Sequence, residues 1–267
     1  MTTHLIGVTG IPGTGKSHFA RSARALGKTL IALTDPKEAS FYGAEGVTLF
    51  ADFEWRPHRS QYNADGLTRL FAWLDARATD DSEFVVLDTG SEASDLAMHE
   101  VLKMHATNTP SDVAHGAAWI GHDQQIKSLV TELRRVVARG KTVIVTFHGQ
   151  MKELEGAGAA QKAVSFGDKN KLEWRFDEQL LPALMTSIRQ RIHSVFDLWL
   201  YTNPVGFGSA RRWYVTAQAD SVRPAKHSVA FKPGINLAQI DNTVSALFGA
   251  LVAPPAASAA LPSGSKT

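Results

Sequence analysis

Residues 10–17 read GIPGTGKS, which fits the phosphate-binding pattern G-x-x-x-x-G-K-[ST]. Its glycines let successive backbone N–H groups curl around the α- and β-phosphates of a nucleotide, while the lysine reaches the β- and γ-phosphates and the serine hydroxyl ligates Mg²⁺. An apolar run at 4–9 and helical periodicity at 16–26 supply the strand–loop–helix context that the pattern requires. The predicted phosphate ligands are Gly10, Gly13, Thr14, Gly15, Lys16 and Ser17, and Ser17 is also a predicted metal ligand.

The bulk composition is that of an ordinary globular protein. The chain has 267 residues, of which 44% are hydrophobic and 20% charged, and its net charge of +2 excludes a strongly basic nucleic-acid coat but not a local basic groove. The absence of cysteine excludes disulfides, thiolate catalysis and Cys-type zinc sites. The sequence has neither a signal peptide nor an apolar run of about 18 residues, so we expect a cytoplasmic protein without a membrane partner.

Apolar, β-branched runs alternate with helical segments along most of the chain, which is typical of a parallel sheet covered on both faces. Beyond residue 203 the pattern changes to that of antiparallel strands followed by one helix. We therefore predict an α/β fold with a mainly parallel central sheet flanked by helices and an antiparallel C-terminal extension. Residues 1–252 form the expected domain, and residues 253–267, APPAASAALPSGSKT, form an expected flexible low-complexity tail. The predicted strands span 5–9, 29–33, 84–87, 142–147, 195–201, 210–217 and 228–231; the predicted helices span 63–77, 119–139 and 236–252.

Two polar residues follow predicted strands where phosphate chemistry would need them. Asp88 follows the run FVVL and is the expected second Mg²⁺ ligand, because ligands of open α/β sheets bind at the carboxyl ends of strands. His148 follows VIVTF, where a polar side chain beside the γ-phosphate can sense that group and pass its state to the next loop. The alternatives are an aspartate that caps the following turn and a solvated or core-edge histidine.

The carboxylate that positions the attacking water is less determined. Asp35 and Glu38 lie in TDPKEAS, and Asp52 and Glu54 lie in ADFEW. We favour Glu38 or Asp35, because they follow a strand that we expect beside the phosphate-loop strand. A solvated surface carboxylate is the alternative for each.

Two other motifs fail on inspection. Residues 170–173, NKLE, lack the aspartate of the guanine-reading N-K-x-D motif, so ATP with Mg²⁺ is the expected ligand. Lys103 replaces the second histidine of an H-E-x-x-H motif that would begin at His99, so we expect no zinc.

The ordered set of phosphate loop, FVVLDT, long amphipathic helix and VIVTFH resembles the RecA-like P-loop ATPase core. Over about residues 5–231 it is most similar to the phage-encoded RecA-like NTPases of single-strand annealing and homologous recombination. The resemblance implies ATP hydrolysis, single-stranded DNA as a partner, and a homo-oligomeric ring or filament with ATP between subunits. It also implies the bacterial host cytoplasm and a single-strand-binding protein as a further partner.

The resemblance also assigns segments of this chain. It places a DNA-binding loop at 149–179, where cations alternate with Phe166 and Trp174, and such cations and aromatic platforms suit sequence-tolerant strand binding. The segment 90–116 is long enough for a second DNA-facing loop. RPAKH at 223–227 resembles the basic motif by which a neighbouring subunit's lysine reaches the γ-phosphate, which implicates Lys226. The expected DNA-binding residues are Lys162, Lys169, Lys171 and Arg175, and the expected catalytic set is Lys16, Glu38, Asp88, His148 and Lys226.

Two alternatives remain open at this stage. A small-molecule or nucleoside kinase would share the phosphate loop but would need an arginine-rich lid, for which the candidates are Arg189, Arg191, Arg211 and Arg212. A nucleotide-gated DNA-binding module with little turnover would keep phosphate binding and lack a competent base.

Overall fold

The computed structural model describes 3–35, 39–50, 54–56, 59–61, 66–107, 109–153, 178–184, 188, 192–206, 211–220 and 223–252. The predicted tail at 253–267 lies outside these residues. Among the helices of the described part, none is both long and apolar enough to cross a bilayer.

Six parallel strands form the centre of the sheet. In chain order they are β1 (Leu5–Gly10), β2 (Thr29–Leu33), β3 (Val47–Leu49), β6 (Phe84–Asp88), β7 (Thr142–Glu153) and β9 (Leu198–Val205). Their spatial order is β3–β2–β6–β7–β1–β9. A separate antiparallel pair consists of β4 (Glu54–Arg56) and β5 (Arg59–Gln61). The predicted α/β fold is confirmed, and it is a RecA-like arrangement in which β7 separates β1 from β6.

Helices cover both faces of the sheet. They are α1 (Lys16–Arg21), α2 (Ala39–Tyr42), α3 (Gly66–Arg77), α4 (Gly90–Met104), α5 (Ala117–Ala138) and α6 (Val244–Ala250). Short 3₁₀ turns span Ser22–Ala25, Pro110–Asp112, Ala114–Gly116 and His193–Val195. The buried residues of α5 recur every three or four positions, which gives it one apolar stripe toward the sheet. The two faces have separate cores, because alternate residues of a strand point to opposite sides: Leu5 packs in the core under α3, α4 and α5, and Ile6 packs in the core under α1 and α6.

The antiparallel extension lies beyond β9. Strand β10 (Arg212–Thr216) pairs with β9, β12 (Ile240–Asp241) pairs with β10, and β11 (Lys226–His227) pairs with the first two residues of β9. Strand β8 (Glu178–Pro182) pairs antiparallel with the far half of β7.

Three boundaries in the C-terminal third differ from the predictions. The expected strand at 228–231 is replaced by β11, and Phe231 makes only an isolated bridge to Leu251. The expected strand at 195–201 begins at Leu198, because a 3₁₀ turn precedes it. The final helix begins only at Val244, because the Thr243 side chain accepts a hydrogen bond from the Ala246 amide and so caps the helix there.

Candidate nucleotide-binding site

The phosphate loop connects the end of β1 to the start of α1, as the sequence predicts. Gly13 and Gly15 have φ values of 75° and 95°, a left-handed conformation that favours glycine. Thr14 Oγ1 donates to the Ile11 carbonyl at 2.7 Å and shares a 2.5 Å hydrogen bond with Thr202 Oγ1. A Cβ on Gly10 would come within 1.8 Å of that Thr202 oxygen. The backbone at Gly10 is therefore packed closely against the side chains of Thr14 and Thr202, whereas the space around Gly13 is open.

A cleft of about 1060 Å³ opens beside this loop, at the carboxyl ends of the parallel strands. The predicted ligands Lys16 and Ser17 line it together with Asp35 and His148. Lys16 is buried and its Nζ donates to the Ile11 carbonyl at 3.2 Å. The glycine cradle, the lysine and the helix N-terminus fit the phosphates of a nucleoside triphosphate.

The predicted metal ligand Asp88 ends β6 and is fully buried. Its carboxylate accepts hydrogen bonds from Thr146 Oγ1 and, at 2.7 Å, from the Tyr42 hydroxyl. The same Tyr42 hydroxyl lies 3.4 Å from the Ser17 carbonyl, so one side chain joins Asp88 to the first turn of α1. Ser17 and Asp88 carry the kind of oxygen ligand that Mg²⁺ prefers, and a bound ion would supply charge stabilisation at the phosphates. Ser17 lines the cleft, whereas Asp88 lies buried behind its wall, and their role as metal ligands stays a prediction.

The sheet order corrects one step of the sequence argument. Strand β2 pairs with β6 and β3, and both β6 and β7 lie between β2 and β1. The expectation that Asp35 and Glu38 follow a strand beside the phosphate-loop strand is therefore wrong, because strand order across a sheet has no local signature. Asp35 nevertheless reaches the cleft wall, and Glu38 lies outside the described residues.

His148 lies in the middle of β7, at the last pair of its parallel register with β1, directly opposite Gly10. Its Nε2 lies 4.0 Å from Asp35 Oδ2 and 3.8 Å from Glu92 Oε1. These separations are too long for hydrogen bonds, yet they leave the three polar groups facing one another at the phosphate end of the cleft. The group can orient a water molecule and contact a terminal phosphate.

Glu92 was not predicted from the sequence, although a signal for it exists. Residues 89–92 read TGSE, which fits the sequence pattern of a capping box; Thr89 Oγ1 accepts a hydrogen bond from the Glu92 amide at 3.1 Å, while the Thr89 amide donates to Thr34 Oγ1. The box starts α4 directly after Asp88 and so carries Glu92 to the carboxyl edge of the sheet, into the cleft wall.

Another wall of the cleft comes from the antiparallel extension, of which the sequence indicated only Arg211 and Arg212, as candidate lid arginines. Trp213 on β10 and Asn242 after β12 line the cleft, and Asn242 Nδ2 donates to the Gly15 carbonyl at 2.9 Å. Arg211 and Arg212 line the same wall. No motif marks Trp213 or Asn242, because they reach the loop only through pairing of β9, β10 and β12.

Lys226 lies elsewhere in this chain. It pairs with Trp199 in the register of β11 and β9, and its Nζ donates to the carbonyls of Ser194 at 2.8 Å and Phe196 at 3.3 Å. This is the amino end of the parallel strands, opposite the phosphate loop. Lys226 is thus no part of its own chain's cleft, and its role toward a neighbouring subunit stays a prediction.

The two expected DNA loops have different outcomes. The predicted DNA-binding residues Lys162, Lys169, Lys171 and Arg175 lie outside the described residues, although the β7–β8 hairpin leads into that segment from both sides. The expected second long loop at 90–116 is wrong, because α4 occupies Gly90–Met104.

A glycine cradle between β1 and α1, with a buried aspartate ending a strand two places away, defines a P-loop NTPase of RecA-like fold. A family model described as AAA domain (AAA_24) matches residues 4–222, so the chain belongs to the AAA_24 family. It is accordingly a nucleotide-binding ATPase of the P-loop class. Among solved structures, it is similar to the flagellar accessory protein FlaH from Methanocaldococcus jannaschii, with 11% identity, 88% of each chain covered and a TM-score of 0.38. Among curated proteins, no match is found.

Proposed function

We propose that this protein is a RecA-like ATPase that binds single-stranded DNA and acts in homologous recombination or strand annealing. Its subunits assemble head to tail in a ring or filament, with Mg·ATP between them. The observation that carries the proposal is the path of β7, which runs from His148 in the cleft into the hairpin that leads to segment 154–177. That segment carries no net charge, but its cations, Lys162, Lys169, Lys171 and Arg175, are interleaved with Phe166 and Trp174.

The start of this path is held tightly against the phosphate loop. A Cβ on Gly149 would lie 2.9 Å from the Gly10 carbonyl carbon, so β7 packs on the end of β1 with no spare room. From Gly149 to Glu153, β7 pairs continuously with β8. Because packed elements move as units, a displacement at His148 reaches the base of the DNA-binding segment. Nucleotide state thereby controls the grip on DNA.

Each predicted residue has a role in this scheme. Lys16 and the loop amides hold the phosphates, and Ser17 with Asp88 holds the metal ion. Asp35 or Glu38 positions water, and His148 contacts the terminal phosphate. Lys226 of a neighbouring subunit completes the site in the manner of a trans-acting finger.

The test is ATP hydrolysis with and without single-stranded DNA, with Lys16→Ala as the control. Stimulation of wild-type turnover by DNA, together with loss of roughly a hundredfold or more in Lys16→Ala, is the expected result. Retention of DNA in the presence of ATP without phosphate release would instead indicate a nucleotide-gated binding module. No affinity for Mg·ATP would contradict the proposal outright.

The DNA-binding segment has its own test. Replacing Lys162, Lys169 and Lys171 together with alanine should weaken DNA binding and flatten its dependence on salt concentration, because fewer counterions are released. The matched control removes the same charge from three exposed lysines elsewhere, Lys28, Lys103 and Lys127. Equal binding by both triple variants would remove segment 154–177 from the proposal.

A small-molecule kinase is the second candidate, because Arg211 and Arg212 line the cleft, where a kinase places arginines over the phosphates. Phosphate transfer to a small acceptor, without stimulation of ATP hydrolysis by DNA, would favour the kinase hypothesis. Screening nucleosides and small alcohols as acceptors in the same assay separates the two.

A further inference from the structure

We propose that Trp213 and Asn242 form the base-binding end of the cleft, with Trp213 stacking on a purine and Asn242 Oδ1 accepting a hydrogen bond from its 6-amino group. This rests on the proposed function, in that the cleft must bind a nucleoside triphosphate. It adds that the protein selects adenine over guanine or hypoxanthine by a residue beyond the matched segment 4–222.

Trp213 has the position and exposure of a stacking platform. It lines the cleft although its side chain is large and apolar, and 44% of its surface is exposed. Its Cδ1 lies 3.1 Å from the position that a Cβ on Gly15 would take, so the indole sits directly beside the phosphate loop. The Arg211 guanidinium is 6.0 Å from the ring centroid, within the range of a cation–π contact. An exposed, positioned indole in a polar cleft offers a base a flat apolar surface.

Asn242 supplies the polar group that Trp213 lacks. The side chain is 4% exposed, and its Nδ2 donates to the Gly15 carbonyl. A carbonyl can only accept, so this bond fixes the amide orientation and makes the other atom, Oδ1, an acceptor. Among the described residues, Oδ1 is buried and has no hydrogen-bond partner. A buried acceptor without a partner is costly, and a ligand that donates to it removes that cost.

The chemistry of the acceptor determines which base fits. Adenine carries an amino group at C6, which donates, whereas guanine and hypoxanthine carry a carbonyl oxygen there, which would face Oδ1 with a second acceptor. A site built to bond a donor discriminates strongly against an analogue that lacks it. The cleft, which Lys16, Trp213 and Asn242 all line, has a volume of about 1060 Å³, enough for a whole nucleoside triphosphate.

Three ligands test the proposal by calorimetric titration in the presence of Mg²⁺: ATP, inosine triphosphate and inorganic tripolyphosphate. Wild-type protein should bind ATP about tenfold more tightly than inosine triphosphate, in which a carbonyl replaces the 6-amino group and N1 carries a proton. Trp213→Ala should lose about tenfold for both nucleotides and nothing for tripolyphosphate, whereas Trp213→Phe keeps most of the affinity. Trp119→Ala is the matched control, an exposed tryptophan on α5 that does not line the cleft.

Asn242→Ala should abolish the preference for ATP over inosine triphosphate while tripolyphosphate still binds. Equal wild-type affinity for the two nucleotides would overturn the role of Asn242, as would an Asn242→Ala variant that weakens all three ligands alike, since the residue then only braces Gly15. Unchanged nucleotide binding by Trp213→Ala would overturn the stacking. Wild-type protein that binds neither ATP nor tripolyphosphate would instead refute the proposed function itself.

Discussion

Asp197 shows how one carboxylate can fix the geometry of several elements. One oxygen accepts from the Leu5 amide at 2.7 Å, at the start of β1, and the other accepts from Arg134 of α5 at 2.9 Å. The Asp197 amide in turn donates to the Leu5 carbonyl at 2.9 Å. Because β1 ends in the phosphate loop, Asp197 anchors the strand that carries the site from its far end.

Replacing Asp197 with alanine should lower the free energy of unfolding by about 2 to 3 kcal/mol, since the Leu5 amide loses its side-chain acceptor and the Arg134 guanidinium keeps only the Val195 carbonyl. Urea denaturation measures the loss. Asp81→Ala is the control, because Asp81 pairs with Lys28 in an exposed ion pair and its removal should have no measurable effect. Equal losses in the two variants would contradict the anchoring role.

His193 gives the stability a pH dependence of known sign. Burial, aided by the nearby Lys226 charge, lowers its pKa from 6.5 to about 4. Between these values the unfolded chain binds more protons than the folded one, so the free energy of unfolding should fall as the pH drops from 6.5 toward 4, by on the order of 2 to 3 kcal/mol. The measurement compares urea midpoints at pH 7 and pH 4.5 for wild type and His193→Gln, and the wild type should lose more. Parallel losses would show that other groups cause the acid sensitivity.

At the scale of elements, the local hydrophobic patterns predicted the type and position of most helices and strands that local burial determines. The apolar runs predicted five of the six central strands, all but the three-residue β3, and the i, i+3, i+4 spacing predicted α3 and α5, because burial imposes those periods. These local patterns could not predict the strand order β3–β2–β6–β7–β1–β9, because long-range packing decides it. For this reason Asp35 was wrongly expected to follow a strand beside β1. The positions of Trp213 and Asn242 in the cleft were not predicted for the same reason. They depend on the pairing of β10 with β9 and β12, which lie far from the phosphate loop in the sequence.

Two glycine substitutions should act in opposite directions. Gly149→Ala places a methyl group 2.8 Å from Leu180 Cδ1 and 2.9 Å from the Gly10 backbone, so it should cost about 1 to 3 kcal/mol and weaken ATP binding. Gly249→Ala meets nothing within 4 Å in α6, where alanine is the better helix former, and should leave stability unchanged or raise it by up to about 1 kcal/mol. Thermal denaturation and ATP titration of both variants check this. A Gly149→Ala variant as stable as Gly249→Ala would show that β7 has room to move away from β1.

At the scale of the whole molecule, the cleft lies at the carboxyl ends of the parallel strands and Lys226 lies at their amino ends. Head-to-tail stacking is the arrangement that brings the cleft of one subunit against the Lys226 side of its neighbour. Such an assembly would complete each cleft from a second subunit, whereas a monomer would leave Lys226 remote from any nucleotide.

Mixing two defective variants tests this arrangement. Lys226→Ala keeps the phosphate loop, and Lys16→Ala keeps Lys226, so neither alone should hydrolyse ATP appreciably. In a random mixture about a quarter of the interfaces would pair an intact loop with an intact Lys226, and turnover should recover to roughly that fraction of wild type. An inactive mixture, with assembly verified by light scattering, would show that Lys226 does not act across an interface.

The amide of Asn242 and helix α6 lie past residue 222, where the family match ends. The Val244 amide donates to Ser22 Oγ at 2.8 Å, and Val244 and Leu247 are fully buried beneath the same face of the sheet as Phe19. A truncation at residue 222, where the family match ends, would therefore keep every residue of the GKS motif and yet remove Asn242 and α6, which pack against the phosphate loop and α1. The inactivity of such a fragment would report a collapsed scaffold, not an incompetent enzyme.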